Sequence, residues 1–200
     1  MESDGGALRY LLAIVMVLCA ATVFAASGDY VNPTANYDEG DWTKTDSIYA
    51  SDNNRASNAG TNTHRVGGKT FGISVTDGAT IDSITVRTEG SSNGNSANRG
   101  VTIQLSKDGG GTRVGDAVTG NLNSTLAGEA VQTWRGTTNG LWGTTWTEAE
   151  VESANFCVTV KKNSTSGTAT YLMDHIQVAI WWTGPGGAKH HAQQAWETGE

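Results

Sequence analysis

Two hundred residues, 37% hydrophobic and 16% charged, suffice for one globular domain with short appendages. Gly at 26 positions against 2 Pro indicates many tight turns, and the low charge content with abundant Thr, Ser and Asn disfavours long helices and favours strands. A net charge of −7 argues against nucleic acid as a partner, because neutralising phosphate supplies most non-specific affinity.

The chain opens with an uncharged run, Leu11 to Ala26. Spanning a bilayer takes about 20 apolar residues, so this run reads as a secretory signal over 1–25, with Val23 and Ala25 before the cut. A retained anchor is the alternative, and an uncleaved segment is the only expected contact with membrane. A lipid on Cys19 is disfavoured by the large Leu18 before it. The expected location is secreted or cell-surface. Cleavage would remove Arg9, Glu2 and Asp4 and leave an acidic product whose one cysteine, Cys157, has no intrachain partner. Alternation with Phe156, Val158 and Val160 makes Cys157 a packing residue rather than a reactive thiol.

A polar lead, 26–36, comes next, then a domain over 37–183. The lead into the domain, up to Asp41, is the segment that could complete a neighbour's sheet, a known way for exported sandwiches to assemble. At its start Asp38, Glu39 and Asp41 cluster in a Gly-containing loop of hard oxygen donors, so calcium is the cofactor the chain could hold there; no other is indicated. Period-two alternation then predicts strands at TFGISV (Phe71, Ile73, Val75), TIDSITVRTEG (Ile84, Val86, Thr88), VTIQLS (Val101, Ile103, Leu105) and FCVTVKK, and a long last strand with Leu172, Ile176, Val178, Ile180 and Trp182 inward. Fainter strands surround Ile48, Val66 and Val131 with Trp134. Gly- and Asn-rich turns separate them. One short helical crossover is expected where Thr147 caps TEAEVESANF. After Thr183 a Gly-Pro break opens an unpatterned tail, 184–200, in which Lys189 to His191 carry no more than a weak metal-binding signal. The expected fold is all-β: an antiparallel β-sandwich, jelly-roll-like ahead of immunoglobulin-like, since the Cys and Trp spacing of the latter is absent.

The stretch TNGLWGTTWTEAEVESANFCVTV, followed by YLMDHIQVAIWW and preceded by TFGISVTDGATIDSITVRTEG, resembles a module of uncharacterised exported bacterial and phage-encoded proteins. Together these pieces cover most of 70–182. Thr76, Asp77 and Cys157 stand near positions where the module commonly has Pro or Gly. The resemblance implies a β-sandwich and a surface or virion context, and it implies no catalytic residues.

Nucleophile elbows, zinc-protease motifs, P-loops and dinucleotide fingerprints are missing, and no spacing selects a catalytic pair from Asp38, Glu39, Asp41, Asp108, Asp116, Glu148, Glu150 and Glu152. His175 and Asp174 are expected on opposite strand faces, with Asp174 a buried acceptor for loop backbone donors. The chain therefore reads as no enzyme. Its aromatic residues suggest binding: parity with Val178 and Ile180 turns Trp182 inward and Trp181 outward, where a flat indole can meet a sugar ring. Trp142 and Trp146 are the other ligand candidates, with core packing as their alternative role. The first expectation is a structural or adhesive subunit of a cell surface, extracellular filament or virion, partnered by copies of itself or by other surface or virion proteins. The second is a carbohydrate-binding module, partnered by polysaccharide, with calcium in a structural role.

Overall fold

The computed structural model describes residues 30–124 and 129–191. The expected signal at 1–25 and the end of the expected tail at 192–200 lie outside them. Two antiparallel sheets face each other. The first has the order β1 (Ala35–Asp38), β3 (Arg65–Lys69), β8 (Cys157–Lys162), β5 (Gly100–Ser106), β6 (Arg113–Asn121). The second runs β10 (Lys189–His191), β9 (Tyr171–Thr183), β4 (Thr80–Ser92), β7 (Ala130–Arg135), with β2 (Ala56–Asn58) also paired to β9. Consecutive strands change sheet at every connection except β5–β6 and β9–β10, the alternation expected of a jelly-roll-like sandwich. One connection contains a short turn of helix, α1 (Thr137–Gly140), and α2 (Glu148–Glu152). As expected from the sequence, Thr147 caps α2: its side chain accepts from the Glu150 amide while the Glu150 carboxylate accepts from the Thr147 amide.

The alternation seen in the sequence becomes the core. Val101, Ile103, Leu105, Val158 and Val160 from one sheet and Ile84, Val86, Ile176, Val178 and Ile180 from the other are wholly buried between them. Each large aliphatic side chain withdrawn from water stabilises the fold by about 1.5–3 kcal/mol. Cys157 is buried, and desolvation pushes its thiol up to about 12, which suits packing and not reactivity.

Three expectations meet differences. Phe71, Ile73 and Val75 are buried as the alternation requires, but their segment joins no sheet: Thr70 and Gly72 take left-handed backbone angles, and the Val75 amide is bonded by the Glu152 carboxylate of α2 at 2.6 Å instead of by a neighbouring strand. Ile48 ends a 3-10 turn, Thr45–Ile48, rather than lying in a strand. The third difference concerns the two ends. The lead is part of the fold before Tyr37, since Val31 is wholly buried and pairs with Val178, and β1 pairs with β3. Residues 184–191 likewise form a hairpin, not a loose tail, with Lys189, His190 and His191 opposite Thr183, Trp182 and Trp181. Along its outer edge β9 thus meets β2, Tyr49, Val31 and β10 in turn, so the lead covers its own sheet's edge. No helix of the described residues is long and apolar enough to cross a membrane.

Candidate functional site

The expected split of the adjacent tryptophans is observed: Trp182 is buried and Trp181 is half-buried on the outer face of the second sheet. Trp181 stands opposite Ser83 of β4, and with Thr85, Thr133 and Arg135 it lines an open groove of about 740 Å³. Tyr30, Asp82, Asn139, Lys189 and His190 complete the lining. Several groups are held in place by neighbours. Asp82 Oδ2 accepts from the Thr183 hydroxyl at 2.7 Å, and the Arg87 guanidinium stacks 3.8 Å from the centre of the Tyr30 ring. The Asn139 turn is a strained presentation, since Thr138 and Asn139 both have positive φ. Asp116 holds that turn by accepting from the Thr137 amide and hydroxyl at 2.6 Å each.

Trp142 and Trp146, the other two aromatic candidates, offer no face to a ligand. Trp142 is wholly buried and donates its indole N–H to the Ile84 carbonyl at 2.9 Å, and its own carbonyl accepts from the Asp116 amide at 2.7 Å. It does so at φ 61°, packed so closely that a Cβ on Gly115 would lie 1.7 Å from its oxygen and one on Gly136 2.4 Å from its Cα. The LWG stretch is thus a wedge locking the crossover to β6 and β4. Trp146 donates to the Leu141 carbonyl and meets the Phe156 ring edge-on at 5.4 Å. Both tryptophans are core.

The loop acids expected to hold calcium are also occupied. Glu39 accepts from Arg65 at 3.1 Å and from Arg113 at 3.4 Å, and Tyr37 donates to it. Burial raises the Glu39 carboxyl, but the Arg65 charge and these bonds outweigh it and leave the carboxyl below its ordinary value. Asp38 accepts from the Gly40 amide, and Asp41 faces His64 at 2.8 Å and accepts from Asn62. Both guanidinium groups face Glu39, and Asp38 and Asp41 are each engaged by donors of the protein itself. The remaining acids weighed for hydrolysis are similarly engaged: Glu148 with the Gly78 and Ala79 amides, Glu150 with Lys107, Glu152 with Val75, and Asp108 with Ser106 and Thr112.

A different acidic group was not legible in the sequence. Asp174 accepts from the Asn53 backbone amide at 3.2 Å, as expected of a buried acceptor, but not from the inward face. The β4–β9 register slips between Glu89 and Gly90, which pair with His175 and Met173 and leave Asp174 as the extra residue. The wholly buried set changes from Tyr171 and Met173 to Ile176 and Val178 across this bulge, so Leu172, expected inward, is only half-buried, and Asp174 and His175 share the other side. They form no dyad: His175 Nε2 meets Asn32 at 3.0 Å, and burial lowers its imidazole pKa. Around Asp174 gather Glu89 and Glu129, with carboxylate oxygens all within 4.8 Å of one another. The Arg55 guanidinium grips both oxygens of Glu129. Burial first, then Glu129, Glu89 and Asp52, push the Asp174 carboxyl up to about 6 against the pull of the Asn53 amide.

Compared with family models, curated proteins and solved structures, the chain has no significant match.

Proposed function

We propose that this chain is an exported, non-enzymatic adhesive β-sandwich that acts by holding a saccharide in the groove on the outer face of its second sheet. The observation that carries the reading is Trp181. Among the described residues it is the one tryptophan that is not buried, and it stands in a groove whose other groups are hydrogen-bond donors and acceptors. An indole face takes the C–H face of a sugar ring, while Asp82, Asn139, Arg135 and Thr133 supply partners for hydroxyls. The surface or virion context rests on the uncharged N-terminal run and on the resemblance of 70–182 to an exported module. A panel of soluble polysaccharides tests it by affinity electrophoresis and tryptophan fluorescence. The expected result is retardation by at least one glycan, weakened about tenfold, or about 1.4 kcal/mol, by Trp181→Ala with the fold intact. No retardation and no fluorescence change across the panel would remove the reading.

A second reading, a subunit that assembles through a sheet edge, draws on Val131. It is 55% exposed on β7, an edge strand of the second sheet. Light scattering after size exclusion distinguishes the two: concentration-dependent oligomers or filaments that Val131→Lys abolishes favour assembly, and a monomer at all concentrations favours the groove alone.

A further inference from the structure

The geometry points to a calcium site, separate from the groove, formed by Asp174, Glu89 and Glu129 at the β9 bulge. An acidic cluster alone would not carry this. The deciding feature is Asp174: it is 1% exposed, one of its oxygens accepts from the Asn53 amide, and the other, Oδ1, is buried with no hydrogen-bond partner. That orphaned oxygen belongs to a carboxylate set beside two others. A buried carboxylate oxygen without a donor is costly, and a cation is the partner its surroundings select.

Charge counting agrees. Three carboxylates face one guanidinium, and Arg55 spends its bonds on both oxygens of Glu129 and on the Asn53 side chain, leaving Asp174 Oδ1 unserved. No described residue donates a hydrogen bond to the Glu89 carboxylate, which is half-buried on β4. With Arg55 in place, two negative charges remain uncompensated, the number one divalent cation supplies. The chemistry of the donors then favours one ion. One oxygen from each residue lies within 4.8 Å of the other two, close enough for a single cation to reach all three. Such an irregular set of hard oxygens suits calcium, whose shell is flexible and is completed with water, over magnesium, which demands near-ideal octahedral geometry and dehydrates reluctantly.

Equilibrium dialysis of the full chain, stripped with chelator, against calcium at neutral pH is the test. We expect one calcium per chain, not displaced by equimolar magnesium, with affinity lowered about tenfold or more by Glu89→Gln and by Asp174→Asn and unchanged by Asp38→Asn and Asp41→Asn. No calcium retained up to about 10 mM, above the range of weak extracellular sites, would overturn the proposal. So would binding that both variants leave untouched, or magnesium binding equal to calcium. Should Asp174→Asn fail to fold, Glu89→Gln and the calcium-against-magnesium comparison on the unaltered chain still decide the question. None of these outcomes bears on saccharide binding.

Discussion

The Asp38–Glu39–Asp41 loop brings three acids together along the chain and the Glu89–Glu129–Asp174 group brings three carboxylates together in space, and the two are opposites. The loop acids are neighbours in the chain, and the fold answers them with Arg65, Arg113, His64 and Asn62. The second set is spread over 86 positions, assembled by the bulge in β9, and answered only in part by Arg55. Proximity in sequence made the first set look like a cation site. What distinguishes the second is the shortage of protein partners, which appears only when distant strands meet.

Their pH behaviour should differ in sign. Glu39 has a lowered pKa in the folded state, so its stabilising contribution is present above the ordinary carboxylate range and is lost as pH falls through the depressed value. Asp174 is raised to about 6, so its contribution is fully present below about 4 and is lost as pH rises through 6, a difference of about 3 kcal/mol between the two limits.

Substitutions can break or sharpen this contrast. The largest effect is expected from Arg55→Ala, which leaves the nearly buried Glu129 carboxylate without its cation. Denaturant unfolding in chelator should show a loss of about 2–4 kcal/mol, and calcium should restore part of it. Asp174→Asn should act in the opposite direction, gaining about 2 kcal/mol at neutral pH in chelator and nothing at about pH 4, measured by the same titration at both pH values. Glu39→Gln should cost about 1–2 kcal/mol at neutral pH, because Arg65 and Arg113 lose a charged acceptor. If Glu39→Gln and Asp174→Asn shift stability in the same direction at neutral pH, the contrast fails. The smallest effect is expected at Asp41, whose side chain is 49% exposed: Asp41→Asn should stay within about 0.5 kcal/mol by thermal unfolding.

Much of the fold was legible because period-two alternation is a local signal. Strands β4, β5, β8 and β9 fall where the alternating residues lie, and the Thr147 cap was readable from one turn of sequence. Strand β6 was missed because as an edge strand it is half-buried or exposed along its whole length and carries little apolar signal. Strand β10 was missed for a similar reason, being three residues with two of them exposed. At the groove, parity placed Trp181 outside correctly, but Trp142 and Trp146 lie in loops, where no period exists and only packing decides which way an indole turns.

The residues of the chain by themselves determined the all-β class, the inward aliphatic faces apart from Leu172, and the outward turn of Trp181, since each follows from the geometry of an extended backbone a few residues long. Tertiary structure decided the rest. It turned the Phe71–Val75 segment from a strand into an extended piece held by Glu152, and it folded the lead and the 184–191 hairpin onto β9. By a one-residue slip between β4 and β9, it also set Asp174 beside Glu89 and Glu129. A bulge reverses every parity beyond it, and an unpartnered charge is defined by what fails to reach it, so neither can be read from a strand considered alone.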